Sequence, residues 1–80
     1  MNTYLATFHT HLSALLSCQA LGGAGYQARM MPVPRSLSSS CGTCVRYSAP
    51  EDCRALLDRD AEALYQELEG RYAPLVEFEE

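Results

Sequence analysis

The sequence predicts an α+β fold of the ferredoxin-like class, a βαββαβ sandwich in which two helices cover one face of a four-stranded antiparallel sheet. The first observation is the length, because 80 residues correspond to one domain, 1–80, with a single modest core. The second is the order of the apolar patterns, which reads strand, helix, strand, strand, helix, strand. The third is the placement of glycines and prolines between these segments.

The first half of the chain predicts a strand, a helix and a second strand. Residues 3–8 (TYLATF) are rich in aromatic and β-branched side chains, as strands are. Thr10 is a candidate N-cap for a helix that runs to about Leu21 and ends at the glycine-rich run 22–25. The apolar stripe of this helix is predicted to consist of Leu12, Leu15, Leu16 and Ala20. Residues 26–32 (YQARMMP) predict the second strand, which the prolines end.

The second half predicts a strand, a helix and a final strand. Residues 42–47 (GTCVRY) alternate, with Cys44 and Arg46 on one face of the third strand. Ser48 and Glu51 have capping-box spacing, which predicts a second helix that ends at Gly70. Its helically spaced apolar residues are Cys53, Leu56, Leu57, Ala61, Leu64 and Leu68. Residues 75–78 predict the last strand.

This fold has consequences for the histidines. We expect the first and third strands to be parallel neighbours, which places His9 and His11 at the opposite end of the sheet from Cys41. The histidines then share neither a metal nor a proton with this cysteine, and a surface capping role is predicted for them. The C-termini of both helices are expected at the Cys41 end, where their dipoles disfavour a thiolate.

Composition excludes several functional classes. The net charge is −4 and every basic residue is an arginine, without a basic cluster, which disfavours nucleic-acid binding. No apolar run approaches the roughly 20 residues needed for membrane insertion. The N-terminal residues lack the pattern of a signal peptide. We therefore expect a cytoplasmic protein with reduced cysteines.

Four cysteines are present, and one pair is informative. Cys18 and Cys53 lie within helical patterns, where cysteine is typically a small buried apolar residue. Cys41 and Cys44 form a C-x-x-C pair at the end of the polar, unpatterned stretch 33–41. No second pair with zinc-ligand spacing exists, so we predict no metal and no cofactor within one chain. A homodimer, with or without a shared metal, is left open.

The pair differs from a thioredoxin-type site because it opens a predicted strand, whereas the thioredoxin pair opens a helix. Activation of Cys41 would instead come from Arg35, from nearby backbone N–H groups, or from the serine hydroxyls. Gly42 leaves room for a second protein to approach the thiol. The candidate binding residues are Arg35, Ser38, Ser39, Ser40 and Gly42.

A larger pattern surrounds this pair. The run MPVPRSLSSSCGTCVRY, preceded by GYQAR and followed by SAPEDCRALL, resembles the small family of uncharacterised domains described as selenium/sulfur (Se/S) carrier-protein-like. The shared features are a proline-arginine, a serine-rich loop, and a Cys-Gly that opens a strand. The resemblance implies a cytoplasmic carrier, more than a true enzyme, in which Cys41 holds a persulfide or selenopersulfide. It also implies donor and acceptor proteins, for example a cysteine desulfurase or a rhodanese-like protein.

Cys44 departs from the family pattern, which commonly has an apolar residue at this position. It is either a resolving thiol, which would release sulfide by forming a disulfide with Cys41, or a quiet strand residue facing a helix. Two other functions stay open at this point. One is a thiol-disulfide redox module that uses Cys41 and Cys44, and the other is a non-catalytic ferredoxin-like interaction or regulatory domain.

Overall fold

The computed structural model describes residues 1–78 and has one α-helix and five strands, so the α+β class is confirmed. The elements in chain order are β1 (Asn2–Phe8), α1 (His11–Gly23), β2 (Gln27–Pro32), β3 (Thr43–Ala49), a 3₁₀ turn (Arg54–Leu56), β4 (Ala61–Leu68) and β5 (Arg71–Glu77). The predicted four-stranded sheet with two helices is wrong in detail. Within the described residues a fifth strand is present and the second helix is absent.

All neighbouring strands are antiparallel, in the order β2-β3-β1-β4-β5. The prediction that β1 and β3 run parallel is therefore wrong. The crossover through α1 makes β2 run in the same direction as β1, and β3 then returns between them in the opposite direction. Consequently β3 begins at the end of the sheet where β1 stops, and Thr7 pairs with Cys44.

The predicted second helix is replaced by a turn and a hairpin. Ser48 lies inside β3, Cys53 has a left-handed backbone (φ 51°), and β4 pairs with the second edge of β1. Glu69 and Gly70 both have positive φ, as a two-residue hairpin turn requires, and they connect β4 to β5. Residues 61–68 contain good helix formers. As a strand, however, they also satisfy the backbone groups on the edge of β1 that β3 leaves unpaired.

The helix α1 begins as predicted but buries a different face. Thr10 is the N-cap, and its Oγ1 accepts a hydrogen bond from the Ser13 backbone N–H at 3.2 Å. The predicted apolar stripe is wrong, because its three leucines are 62%, 38% and 45% exposed at Leu12, Leu15 and Leu16. The buried residues are Ser13, Ala14, Ser17 and Leu21.

Hydrogen bonds explain why two serines face inward. The Ser17 hydroxyl accepts from the Asp58 backbone N–H at 2.8 Å, and the Ser13 hydroxyl donates to the Asp60 carboxylate at 3.2 Å. Buried polar groups need such partners, and the leucines of α1 have none to offer to this loop. These hydrogen bonds to the segment between β3 and β4 hold the serine face of α1 inward.

The core lies between α1 and one face of the sheet. It contains Tyr4, Ala6 and Phe8 of β1 together with Val45 and Tyr47 of β3. The rings of Tyr4 and Tyr47 are 5.5 Å apart between centroids. The predicted alternation of β3 is confirmed, because Cys44 lies on the face opposite to Val45. No helix among residues 1–78 is long and apolar enough to cross a membrane.

Candidate functional site

Residues 33–42 join β2 to β3 and form a segment that we call the Cys41 loop. It lies at the end of the sheet where β1 stops and α1 begins. The Val33 backbone N–H donates to the Gly42 carbonyl at 3.1 Å, which closes the base of the loop. A turn follows, in which the Leu37 N–H donates to the Pro34 carbonyl at 3.0 Å. The loop is therefore irregular but held at defined points.

Cys41 is half-buried and packs against the core on the side of the sheet that α1 covers. Its Sγ lies 3.5 Å from the Thr43 carbonyl oxygen, to which the thiol donates. The Ser39 hydroxyl is 3.9 Å from the same sulfur. The thiol thus has one acceptor and one hydroxyl that can donate to it when it is ionised.

Gly42 is required by the backbone. Its φ is +74°, in the region that side chains other than glycine rarely adopt, and no atom lies within 4 Å of where a Cβ would stand. The chain turns from the loop into β3 at this residue. The predicted importance of the Cys-Gly pair therefore has a conformational explanation, and the space beside Gly42 is open.

Glu62 anchors the serines of the loop. Its Oε1 accepts from the Ser40 backbone N–H at 2.8 Å and from the Ser39 hydroxyl at 3.2 Å. Its Oε2 accepts from the Ser40 hydroxyl at 3.0 Å. The Ser39 hydroxyl also lies 2.9 Å from the Phe8 carbonyl oxygen. One carboxylate of β4 therefore holds the two residues that precede Cys41.

A β-bulge places Glu62 in this position. Thr7 pairs with Ala63 and Phe8 with Ala61, so β4 has one residue more than β1 at this point, and that residue is Glu62. Bulges disrupt the regular alternation of a strand and redirect a side chain. The carboxylate, which is about a fifth exposed, consequently lies against the Cys41 loop.

His9 joins the same cluster. Its Nδ1 is 3.6 Å from Glu62 Oε2 and 3.5 Å from the Ser40 hydroxyl. His11 lies nearby on α1, with its Nδ1 3.3 Å from the Thr43 hydroxyl. The prediction that these histidines lie at the opposite end of the sheet from Cys41 is therefore wrong, because it depended on parallel β1 and β3 strands.

The helix orientation also differs from the prediction. Since α1 begins at His11, directly after β1, its N-terminus and not its C-terminus lies at the Cys41 end. The second predicted helix is absent from the described residues, so it contributes no dipole here. The expected unfavourable dipole at this end of the sheet is therefore not found.

The charge of Glu62 is set by two opposing effects. Burial acts to raise the pKa of its carboxyl group. The hydrogen bonds from the backbone and hydroxyl of Ser40 and from the hydroxyl of Ser39, together with the charge of His9, outweigh burial and hold this pKa below its ordinary range. Glu62 is consequently a carboxylate at neutral pH, and it accepts hydrogen bonds but donates none.

Cys44 is in a different environment. It is fully buried, and its Sγ lies 3.8 Å from the Pro32 carbonyl oxygen. Burial, with a smaller effect from Cys41, raises the pKa of the Cys44 thiol to about 11. Both cysteines of the pair are free thiols. The expectation that Cys44 faces a helix is wrong, because Val45 and Tyr47 occupy the helix-covered face.

Arg35 and Ser38 lie on the surface of the Cys41 loop. Arg35 follows Pro34 in the turn, is exposed, and makes no hydrogen bond or ion pair with residues 1–78. Ser38 is also exposed and lines a shallow groove of about 280 Å³, which His9, Glu62 and Glu77 share. Both side chains are therefore accessible to a partner.

The other two cysteines, Cys18 and Cys53, are half-buried and pack against the core. Among residues 1–78, no three histidine, cysteine or acidic side chains are grouped as metal ligands would be.

Sequence reasoning missed two members of the cluster. The predicted strand direction puts His9 at the wrong end of the sheet, and the predicted second helix, which does not form, contains Glu62. For His9, an antiparallel arrangement of β1 and β3 is enough to place the side chain at the Cys41 end of the sheet. For Glu62 no local signal exists, because its position depends on a bulge in the pairing of β4 with β1.

The sequence was compared with those of known families and proteins. Residues 3–69 match the family described as "Putative Se/S carrier protein-like". A curated relative, "Uncharacterized protein YtiA" of Escherichia coli (strain K12), is 28% identical over 72 residues, which cover 88% of this chain and 85% of that protein. No solved structure matches the chain.

Proposed function

The chain belongs to the Se/S carrier protein-like family, and we propose that it carries sulfur or selenium on Cys41, as a persulfide or selenopersulfide. Residues 1–80 act as one carrier domain in the cytoplasm. The protein accepts the atom from a donor protein and passes it to an acceptor. The family match supports a carrier function. The environment of each cysteine supports Cys41 as the residue that holds the sulfur or selenium atom.

The observation that carries this choice is the contrast between Cys41 and Cys44. The buried Cys44 thiol has a pKa raised to about 11, so at neutral pH it is almost entirely protonated and inaccessible to a partner. Cys41 is half-exposed, lies in a polar loop, and has the Ser39 hydroxyl beside its sulfur. A transfer between two proteins needs an accessible sulfur that can ionise.

The transfer is an exchange between sulfur atoms. The Cys41 thiolate attacks the terminal sulfur of a donor persulfide, the donor's S–S bond breaks, and the donor thiolate leaves. Cys41 then holds a persulfide, and no net oxidation or reduction has taken place. Selenium is carried in the same way, with a sulfur-selenium bond on Cys41. Attack by an acceptor thiolate on the terminal atom reverses these steps and restores the Cys41 thiolate.

The partners follow from this chemistry. A cysteine desulfurase or a rhodanese-like protein forms a cysteine persulfide and is a suitable donor. The exposed side chains of Arg35 and Ser38 provide a docking surface beside the loop, and the open space at Gly42 admits the partner's persulfide. Arg35 is the cation of this loop that can approach an anionic sulfur when a partner binds.

The test is intact-protein and peptide mass spectrometry after incubation with a cysteine desulfurase and cysteine. We expect the mass of one added sulfur atom, located on Cys41, and its loss on treatment with a thiol reductant. Cys41→Ser is expected to abolish the added mass. The matched control is Cys44→Ala, which removes the neighbouring thiol and is expected to leave the persulfide on Cys41.

The same experiment distinguishes the alternatives. Loss of two hydrogen masses without added sulfur, which disappears in Cys44→Ala, identifies a thiol-disulfide redox module. No change of mass in either wild type or Cys44→Ala leaves the non-catalytic interaction domain as the remaining function. Both results contradict the carrier function.

A further inference from the structure

We propose that Ser39, Glu62, Ser40 and His9 form a chain of polar groups that takes up the thiol proton of Cys41. His9 is the final acceptor, and Ser39 and Glu62 are positioning residues. This inference rests on the proposed carrier function only in its purpose, which is to supply the thiolate that attacks a donor persulfide. The network itself is a property of the described geometry.

The first part of the network connects the sulfur to the carboxylate. The Ser39 hydroxyl lies 3.9 Å from Cys41 Sγ, and its single proton has two acceptors, the Phe8 carbonyl at 2.9 Å and Glu62 Oε1 at 3.2 Å. The neutral thiol donates to the Thr43 carbonyl at 3.5 Å, so proton transfer requires the thiol to turn toward Ser39. A hydroxyl can accept a proton on one side while it gives one on the other, so Ser39 connects an acid to a base without a change in its own charge. Once Cys41 is ionised, the sulfur accepts hydrogen bonds only, and the Ser39 hydroxyl can donate to it.

The second part connects the carboxylate to an imidazole. Glu62 Oε2 is 3.6 Å from His9 Nδ1, and the Ser40 hydroxyl lies between the same groups, 3.0 Å from Oε2 and 3.5 Å from Nδ1. Because the pKa of Glu62 is held below its ordinary range, the carboxylate is a poor final acceptor. An imidazole is the side chain suited to hold a proton near neutral pH.

The proton balance is simple. Neutral Cys41 and neutral His9 become a Cys41 thiolate and a protonated His9, and no electrons are transferred. The positive charge stays beside the Glu62 carboxylate, while the negative charge is stabilised by the Ser39 hydroxyl. Each new charge therefore has a partner, which a half-buried site requires.

Other titratable groups face this network and need to be separated from it. Glu77 shares the groove with His9, and the Asp60 carbonyl accepts the His9 backbone N–H at 3.2 Å. His11 lies at the start of α1 against Thr43. Cys44 lies close enough to Cys41 for the two thiols to interact electrostatically. None of these side chains has a hydrogen bond with Ser39 or Ser40 in residues 1–78.

The experiment is the rate of Cys41 alkylation by iodoacetamide as a function of pH, read from the Cys41 peptide by mass spectrometry. In His9→Asn we expect the rate between about pH 5 and 8 to fall about tenfold, and to rejoin the wild-type rate in alkali, where the thiolate forms without assistance. Ser39→Ala is expected to lower the rate likewise.

The matched control is His11→Asn, which removes the other imidazole at this end of the sheet and is expected to follow the wild-type profile. The inference is overturned if the His9→Asn and wild-type profiles coincide, or if His9→Asn changes the rate equally at every pH, as altered access alone would. It is also overturned if His11→Asn has the same effect as His9→Asn. Iodoacetamide requires no sulfur donor, so this result is independent of whether Cys41 accepts a persulfide.

Discussion

On the face of the sheet beneath α1, Tyr4, Ala6 and Phe8 are buried by a second layer of structure. On the opposite face Leu5 and Thr7, which alternate with them along β1, are buried to the same degree, although no helix or strand of residues 1–78 packs on this face. The two faces of one strand therefore exclude water in two different ways.

Neighbouring side chains cover the second face. Leu5 lies between Arg46 of β3 and Tyr65 of β4, its partners across the two strand pairs. Arg46 is held in place by Glu67, whose two carboxylate oxygens accept from the guanidinium at 3.1 and 2.9 Å. Long polar side chains can bury apolar surface with their stems while their charged ends stay in water.

This difference explains why two cysteines only three positions apart have such different properties. Cys44 lies in the second face, sealed between Thr7 and Met31. Cys41 precedes the strand and lies at the edge of the first face, where the layer of α1 gives way to a polar loop. The sheet therefore shields the Cys44 thiol from solvent, whereas the Cys41 thiol lies at the edge of the sheet and is partly exposed.

The largest expected effect is the cost of removing an apolar side chain, which differs between the two faces. Phe8→Ala is expected to lower the free energy of unfolding by about 3–5 kcal/mol, because the rigid layer above it cannot fill the cavity. Leu5→Ala is expected to cost about 2 kcal/mol, since only side chains cover this face and they can close part of the cavity. Urea denaturation measures both. An equal or larger loss for Leu5→Ala would contradict the comparison.

A smaller difference is expected in alkali and concerns Cys44. The unfolded chain ionises this thiol near its ordinary pKa of about 8.5, whereas burial raises the pKa to about 11 in the fold. The folded state therefore retains the proton longer, and the stability is complete below the unfolded pKa and is lost as pH rises through the folded value. Between about pH 8.5 and 11, wild type should lose roughly 2–3 kcal/mol more than Cys44→Ala.

The alkaline measurement needs its own control. Burial also raises the pKa of Tyr47, so both proteins lose some stability in this range and only their difference reports on Cys44. Denaturation curves at a series of pH values give that difference. Parallel curves for wild type and Cys44→Ala would show that Cys44 is not sealed from water.

The smallest expected effect is at Thr7, whose buried hydroxyl has no hydrogen-bond partner among residues 1–78. Thr7→Val replaces the hydroxyl with a methyl group of similar size and is expected to raise the free energy of unfolding by up to about 1 kcal/mol. Thr3→Val, on the same face of β1 but half-exposed, is expected to change it by less than about 0.5 kcal/mol. A clear loss of stability in Thr7→Val would mean that the hydroxyl has a partner after all.

Much of the first half of the fold could be predicted because its signals are local. The alternation of residues 3–8, the Thr10 cap, and the proline-ended strand before the loop each specify a backbone conformation through the residues themselves. The prediction that Gly70 ends a helix was wrong for an instructive reason. Positive φ is required both after a helix and in a tight hairpin, so the residue alone could not distinguish a helix end from the turn between β4 and β5.

Within the candidate site, composition was sufficient to predict the polar loop, its terminal thiol and the small residue at Gly42, whereas the left-handed backbone of Gly42 is seen only in the structure. The strand at residues 61–68, the buried serines of α1, and the contacts of Glu62 and His9 with the Cys41 loop could not be predicted in this way. Strand direction and register are set by pairing between distant segments, which no local pattern records. A bulge of one residue in that pairing places a carboxylate beside the thiol loop, and nothing near Glu62 in the sequence records it.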